Sequence, residues 1–179
     1  MKKLFTLLVM TLAFNANAAL INLSLDSNTI NAGDQVTINL TATEWVDVSA
    51  FSFDLLFDTD QFAIPESGGD LLMDDSDLFA SLVFMGITYP GGINFSFLDF
   101  LPLNGDFLIA SFQLTALTSG TFGFDLDFGV FADLDDNPLE VSLGQSAALQ
   151  VNAVPEPAAW GLMMLALAGI FAARRNQVH

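Results

Sequence analysis

Asp133, Asp135 and Asn137 stand at i, i+2 and i+4 in an acidic turn that ends on Pro138. Calcium takes several hard oxygen ligands and tolerates irregular geometry. Alternate oxygen-bearing side chains on a curving backbone are therefore expected to hold calcium. The glycine and distal glutamate of a complete EF-hand loop are missing, so a solvated acidic turn is the competing reading. Asp74, Asp75 and Asp77 form a second, less specific cluster. Carboxylates abound, with 21 acids in the chain, yet no two are marked as a catalytic pair of the kind glycoside hydrolysis needs. The chain has no cysteine, and its one histidine is His179, beyond the C-terminal apolar segment. A Ser-His-Asp or Cys-His nucleophile and a His/Cys zinc site are thereby excluded from the interior. The expectation is a protein without enzymatic activity. Trp45 and Tyr89 lie beside turns, and a flat aromatic face suits the C–H face of a sugar. They are the carbohydrate-binding candidates, against partial burial at a rim.

The elements that must position these residues read as strands. Val36, Ile38 and Leu40 alternate with polar neighbours, as do Phe51, Phe53, Leu55 and Phe57. The same holds for Ile93, Phe95 and Phe97, for Ala110, Phe112, Leu114 and Ala116, and for Phe122, Phe124, Leu126 and Phe128. Period two sends one set to a core and the other to solvent. Turn signals divide the runs at 31–34, 65–69, 90–92, 103–106, 119–120 and 135–138. Several short strands at this spacing predict an all-β antiparallel sandwich with a phenylalanine core. Phe100, Phe107 and Phe131 are not placed by the alternation. Residues 70–82 read as a loop with one helical turn. Asn22, Asn39 and Asn94 open glycosylation patterns but fall within strands.

All four Lys and Arg residues lie at the ends: Lys2, Lys3, Arg174 and Arg175. Met1-Lys2-Lys3, an apolar run to Phe14 and the small residues Ala16 and Ala18 compose a secretory signal peptide, 1–18, cut after Ala18. At the other end Val154-Pro155-Glu156-Pro157 is stiff and extended, because each proline fixes its own φ and biases its predecessor. An uncharged apolar segment, 158–173, follows and reads as a transmembrane helix held by Arg174 and Arg175 on the cytoplasmic side. Residues 19–153 remain as one domain, long enough for a core and without a disulfide. That domain has only negative side chains, so nucleic acid is excluded as a partner.

The order Val-Pro-Glu-Pro, apolar helix, Arg-Arg over 154–179 resembles the PEP-CTERM sorting signal. The resemblance implies export from a Gram-negative bacterium that makes exopolysaccharide, and recognition of the tail by an exosortase-type processing enzyme. The interior carries a second likeness. Ile30 to Ile38 resembles the Gly-Asp turn and alternating strand that open cohesin domains. Ala50 to Asp58 resembles their strand ending in an aromatic-Asp pair, and Val130 to Leu139 their late acidic turn. A cohesin-like fold implies a nine-stranded jelly-roll sandwich.

Two functional expectations follow. One is an exported structural or adhesive protein of the cell surface, extracellular matrix or biofilm, anchored for a time in the inner membrane. The other is a binding module for polysaccharide or for a protein partner. Calcium is the one cofactor expected.

Overall fold

The computed structural model describes residues 19–68, 70–154 and 163. Signal-peptide residues Ala16 and Ala18 lie outside the described residues. So do Pro155, Glu156, Pro157, Arg174, Arg175 and, apart from Met163, the 158–173 segment. Among the described residues no helix is long and apolar enough to cross a membrane.

Strands β1 (Leu20–Leu25), β2 (Thr29–Asn31) and β3 (Gln35–Leu56) open the domain. A short 3₁₀ turn at Thr59–Gln61 leads to β4 (Phe62–Ala63), β5 (Glu66–Ser67) and β6 (Asp70–Leu71). Then come β7 (Val83–Tyr89), β8 (Gly92–Ala116), β9 (Gly120–Ala132), β10 (Ser142–Leu143) and β11 (Ala147–Asn152). The fold is an all-β sandwich, as the alternation predicts.

β3 and β8 run together through both layers. In the first layer, residues 35–42 of β3 pair with 107–115 of β8, and β1, β10 and β4 extend the sheet. In the second, residues 50–56 of β3 lie between 92–98 of β8 and 125–132 of β9. β7 continues this sheet on one side, and β11 with β2 on the other. The alternating residues meet between the layers. Phe53 stacks on Phe95, ring centres 5.5 Å apart, and Phe95 lies 5.9 Å from Phe112 on the other half of β8. Burying each such ring is worth about 1.5–3 kcal/mol, and no disulfide supplements this packing.

Both long strands change layer at matched bends, where the ladder slips between Ala42 and Trp45 and again before Val48. Glu44 and Asp47 take positive φ there, 55° and 56°, and Gly105 opposite sits at 83°. Bulged residues leave N–H groups off the ladder, and these must find other acceptors. Asp106 Oδ1 accepts from the Glu44 N–H at 2.8 Å, and Asn104 Oδ1 from the Asp47 N–H at 3.0 Å. The expected turn at 103–106 is thus a bend inside a continuous pairing.

Two more local expectations are corrected. Phe128, expected on the core parity, is 65% exposed, because a bulge at its own position, φ 46°, turns it outward. Residues 72–82 contain turns without the expected helical turn. This loop covers the outer edge of β8: Asp75 and Ser111 exchange backbone hydrogen bonds, and Asp77 pairs with Leu108 through its own N–H and its carboxylate. An edge so covered cannot pair with another chain.

The domain has two distinct ends. The chain leaves the sandwich after β11, where the Asn152 carbonyl accepts the Ala32 N–H and Val151 faces Gly120. The two bends and the 133–137 turn lie at the opposite end.

Candidate interaction face

The outward side of the second layer is built from alternate residues of four strands. In register they form four rows: Val83, Leu98, Ala50, Ala132; Met85, Ser96, Ser52, Val130; Ile87, Asn94, Asp54, Asp127; Tyr89, Gly92, Leu56, Asp125. A polar ladder runs up its centre. Ser96 Oγ donates to Asn94 Oδ1 at 2.7 Å, and Asn94 Nδ2 donates to Asp54 Oδ1 at 2.7 Å and to Ser52 Oγ at 3.1 Å. Those bonds fix the side chains in one arrangement. Apolar side chains flank the ladder: Ile87 is 42% exposed, Leu98 48% and Val130 53%, with Val83 and Met85 half-buried beside them.

Tyr89 closes one corner. Its phenol lies over Gly92, where an added Cβ would meet the hydroxyl at 3.0 Å. Burial pushes the phenol above its ordinary value, and the charge and hydrogen bond of Asp54, with Asp127 beyond, push it further. Tyr89 therefore lies on an exposed face, as a binding candidate must. Trp45 does not, which corrects the expectation for it. Only 1% of Trp45 is exposed, at the bend of β3 inside the core. Phe51, Phe107 and Phe131 meet it edge-on at 5.2–5.5 Å, and its Nε1 donates to the Leu20 carbonyl at 3.2 Å. Both faces of the indole are covered, so no sugar can stack there. Phe107 and Phe131 find their places around it, while Phe100 is 69% exposed.

The Asp133 turn closes on itself. Asp133 Oδ1 accepts the N–H groups of Asp135 and Asn137, both at 2.9 Å, and Asn137 Nδ2 donates to both carboxylate oxygens. The Asn137 amide hydrogen bonds, foremost, hold the carboxyl below its usual range. Calcium needs those oxygens, and here the loop's own donors occupy them. Among the described residues no group of three or more His, Cys, Asp or Glu is placed to hold a metal. The Asp74 cluster is engaged along the edge of β8. Of the sorting residues only Val154 is described, exposed just beyond β11.

The alternation rule hides the face residues Val83, Met85, Ile87, Leu98 and Val130, because it assigns apolar residues to the core. The legible signal is apolar residues on the parity that Asn94 and Ser96 mark as outward.

Residues 153–176 match the model of the PEP-CTERM protein-sorting motif. That motif marks the chain as an exported protein handled by an exosortase system. No curated protein matches the chain. Among solved structures, the chain is similar to a type II cohesin domain from the cellulosome of Acetivibrio cellulolyticus. The TM-score is 0.63 at 15% identity, over 74% of this chain and 95% of that one. A non-cellulosomal cohesin from the archaeon Archaeoglobus fulgidus gives 0.57 at 13%, over 80% and 97%. A mutant type II cohesin–X-dockerin complex from Acetivibrio cellulolyticus gives 0.58 at 13%, over 76% and 99%. The domain has the cohesin fold.

Proposed function

We propose that the chain is a non-enzymatic protein-binding module, displayed at the cell surface or in the extracellular matrix, that docks a partner protein module on the outward face of β7, β8, β3 and β9. The observation that carries this reading is the face itself: a fixed polar ladder flanked by exposed Ile87, Leu98 and Val130. Contiguous exposed apolar side chains rimmed by polar groups mark interaction sites on soluble proteins. A flat sheet surface suits another folded domain better than a small molecule, which favours a concave pocket. A cohesin of the same fold is known in complex with an X-dockerin, which supports a protein module as the class of partner. The sorting motif supports the destination and a passage through the membrane on the way. Polysaccharide association fits that destination, with Tyr89 the one remaining aromatic candidate.

The test is affinity capture from the producing organism's own secreted and surface proteins, using the exported domain and an Ile87→Asp variant. A charge at the centre of the apolar flank should abolish capture while leaving the melting temperature unchanged. Retention by polysaccharide alone, lost in Tyr89→Ala and intact in Ile87→Asp, would replace this reading with a glycan-binding one.

A further inference from the structure

We propose that the docking face is polarised along its strands and takes its partner in one orientation, with an apolar patch over Leu98 and Phe100 and one or more lysine or arginine side chains over Asp54, Asp127 and Asp125. The proposal deepens the docking reading above and rests on it.

The four rows of the face differ in chemistry. The row beside the bends, Val83, Leu98, Ala50 and Ala132, has no polar side chain. β8 carries the apolar character further, to exposed Phe100, two residues beyond Leu98. Asp99, between the two, directs its carboxylate to the backbone: Oδ2 accepts the Leu82 N–H at 3.0 Å and Oδ1 the Leu101 N–H at 3.1 Å. Those bonds tie the chain before β7 to β8 and fix the apolar corner. The first two rows carry no acid, and the third and fourth carry Asp54, Asp127 and Asp125. Same-face residues repeat every ~6.6–6.8 Å along a strand, so about 20 Å separates the apolar row from the last acidic one. That length lies within one side of a standard protein interface, roughly 800 Å² per partner.

The acidic end has no cation of its own. Asp54 and Asp127 face each other across the β3–β9 ladder, and like charges directly opposite are unfavourable. The donors they receive are neutral. Asn94 Nδ2, at 2.7 Å, and the Tyr89 phenol donate to Asp54, and the Phe128 N–H donates to Asp127 at 2.8 Å. A carboxylate offers about four acceptor sites, so these bonds do not fill either group. Between 19 and 153 there is no Lys, Arg or His, so a basic side chain for this end must come from another molecule. A second copy of the domain would bring only carboxylates. A basic partner turned end for end would set its cations on Leu98 and Phe100 and its apolar patch on the carboxylates. Both sets of charges would then lose water without gaining a counter-charge. Charge placement of this kind fixes register at protein interfaces.

The probe is the secreted or surface protein that the exported domain retains and its Ile87→Asp variant loses. If no protein meets both conditions, the docking reading fails and the polarity fails with it. The affinity of that protein is then measured at about 0.05 and 0.3 M sodium chloride. Asp125→Asn with Asp127→Asn should weaken binding roughly tenfold at the lower salt and flatten the salt dependence. Asp60→Asn with Glu140→Gln, beside β4 and β10 of the other layer, removes the same charge and should change binding less than about twofold. Equal effects of the two pairs would mark attraction by net charge alone. That result overturns the proposal and leaves the docking reading standing. Orientation is read by a benzophenone-bearing phenylalanine in place of Phe100 or of Tyr89, at the two ends of the face. Each should cross-link its own stretch of the partner, with Lys or Arg in the stretch reached from Tyr89. One stretch reached from both positions would mean docking either way round, and would overturn the single orientation.

Discussion

Asp133 shows how a residue's chemistry is decided by what its neighbours donate. The spacing of Asp133, Asp135 and Asn137 is legible in sequence as a set of converging oxygens. What sequence does not show is that the loop's backbone and the Asn137 amide donate into the same carboxylate. Because that carboxyl is held below its usual range, its contribution to stability is complete above the unfolded value, about 3.9, and is lost as pH falls through the folded one. Asp133→Asn should therefore melt below wild type at neutral pH, and the gap should close on acidification, as read by thermal melts across the acid limb. Calcium competes with these donors and should not stabilise the domain. A site filled at a hundred times its Kd would add about 2.7 kcal/mol, so melts in millimolar calcium and in chelator should coincide. Ser49 is a residue of the opposite kind. Its hydroxyl is buried with no hydrogen-bond partner. An unsatisfied buried polar group costs about 1–3 kcal/mol, so Ser49→Ala should raise the unfolding free energy by about 1 kcal/mol in a urea titration. Trp45 was legible as a residue beside a turn. Its burial depends on Phe107 and Phe131 arriving from β8 and β9, which no local pattern encodes. Truncating it to Ala should cost about 3–5 kcal/mol.

At the scale of the element, period two identified the strands because each has one face on a single core. It failed where a strand changes layer. The Leu103-Asn104-Gly105-Asp106 run carries the composition of a turn, and the same composition serves a bend: glycine takes a positive φ, and Asn and Asp side chains accept N–H groups freed across the ladder. The distinction lies in whether pairing continues, a property of β3 as much as of β8. Asn104→Ala removes the acceptor for the Asp47 N–H at an exposed site. The expected loss is about 0.5–1.5 kcal/mol in urea unfolding. The β9 bulge makes a different prediction. Phe128 is a bulky side chain held at positive φ and turned to solvent, two unfavourable choices at one position. A left-handed conformation costs a non-glycine residue about 1–2 kcal/mol. Phe128→Gly should consequently stabilise the fold by about 1 kcal/mol, less the extra chain entropy of glycine. Reduced partner capture by the same variant would show that the strain is retained for binding.

At the scale of the whole molecule, the separation of signs along the chain becomes a property of the folded domain. With no Lys, Arg or His between 19 and 153, no side-chain ion pair offsets the carboxylates within it. The sandwich answers this locally. Asp26, Asp77, Asp99 and Asp106 each accept backbone N–H groups, and Asp133 closes its turn. Such bonds satisfy individual carboxylates but do not remove the mutual repulsion of the set, which acts over roughly a Debye length, about 10 Å at 0.1 M salt. High net charge keeps a protein soluble and destabilises its compact state. For most proteins added sodium chloride weakens attractive and repulsive pairs together. Here attractive side-chain pairs are absent from the domain, so screening should act in one direction only. The melting temperature should climb by several degrees between about 0.02 and 0.5 M sodium chloride, and most of the rise should come below about 0.2 M, where the screening length shortens through the spacing of surface charges. A chaotropic and a kosmotropic sodium salt should give the same increment in the low range, since screening depends on ionic strength alone. A flat or falling curve would mean that the carboxylates are already neutralised, by bound cations or by the partner.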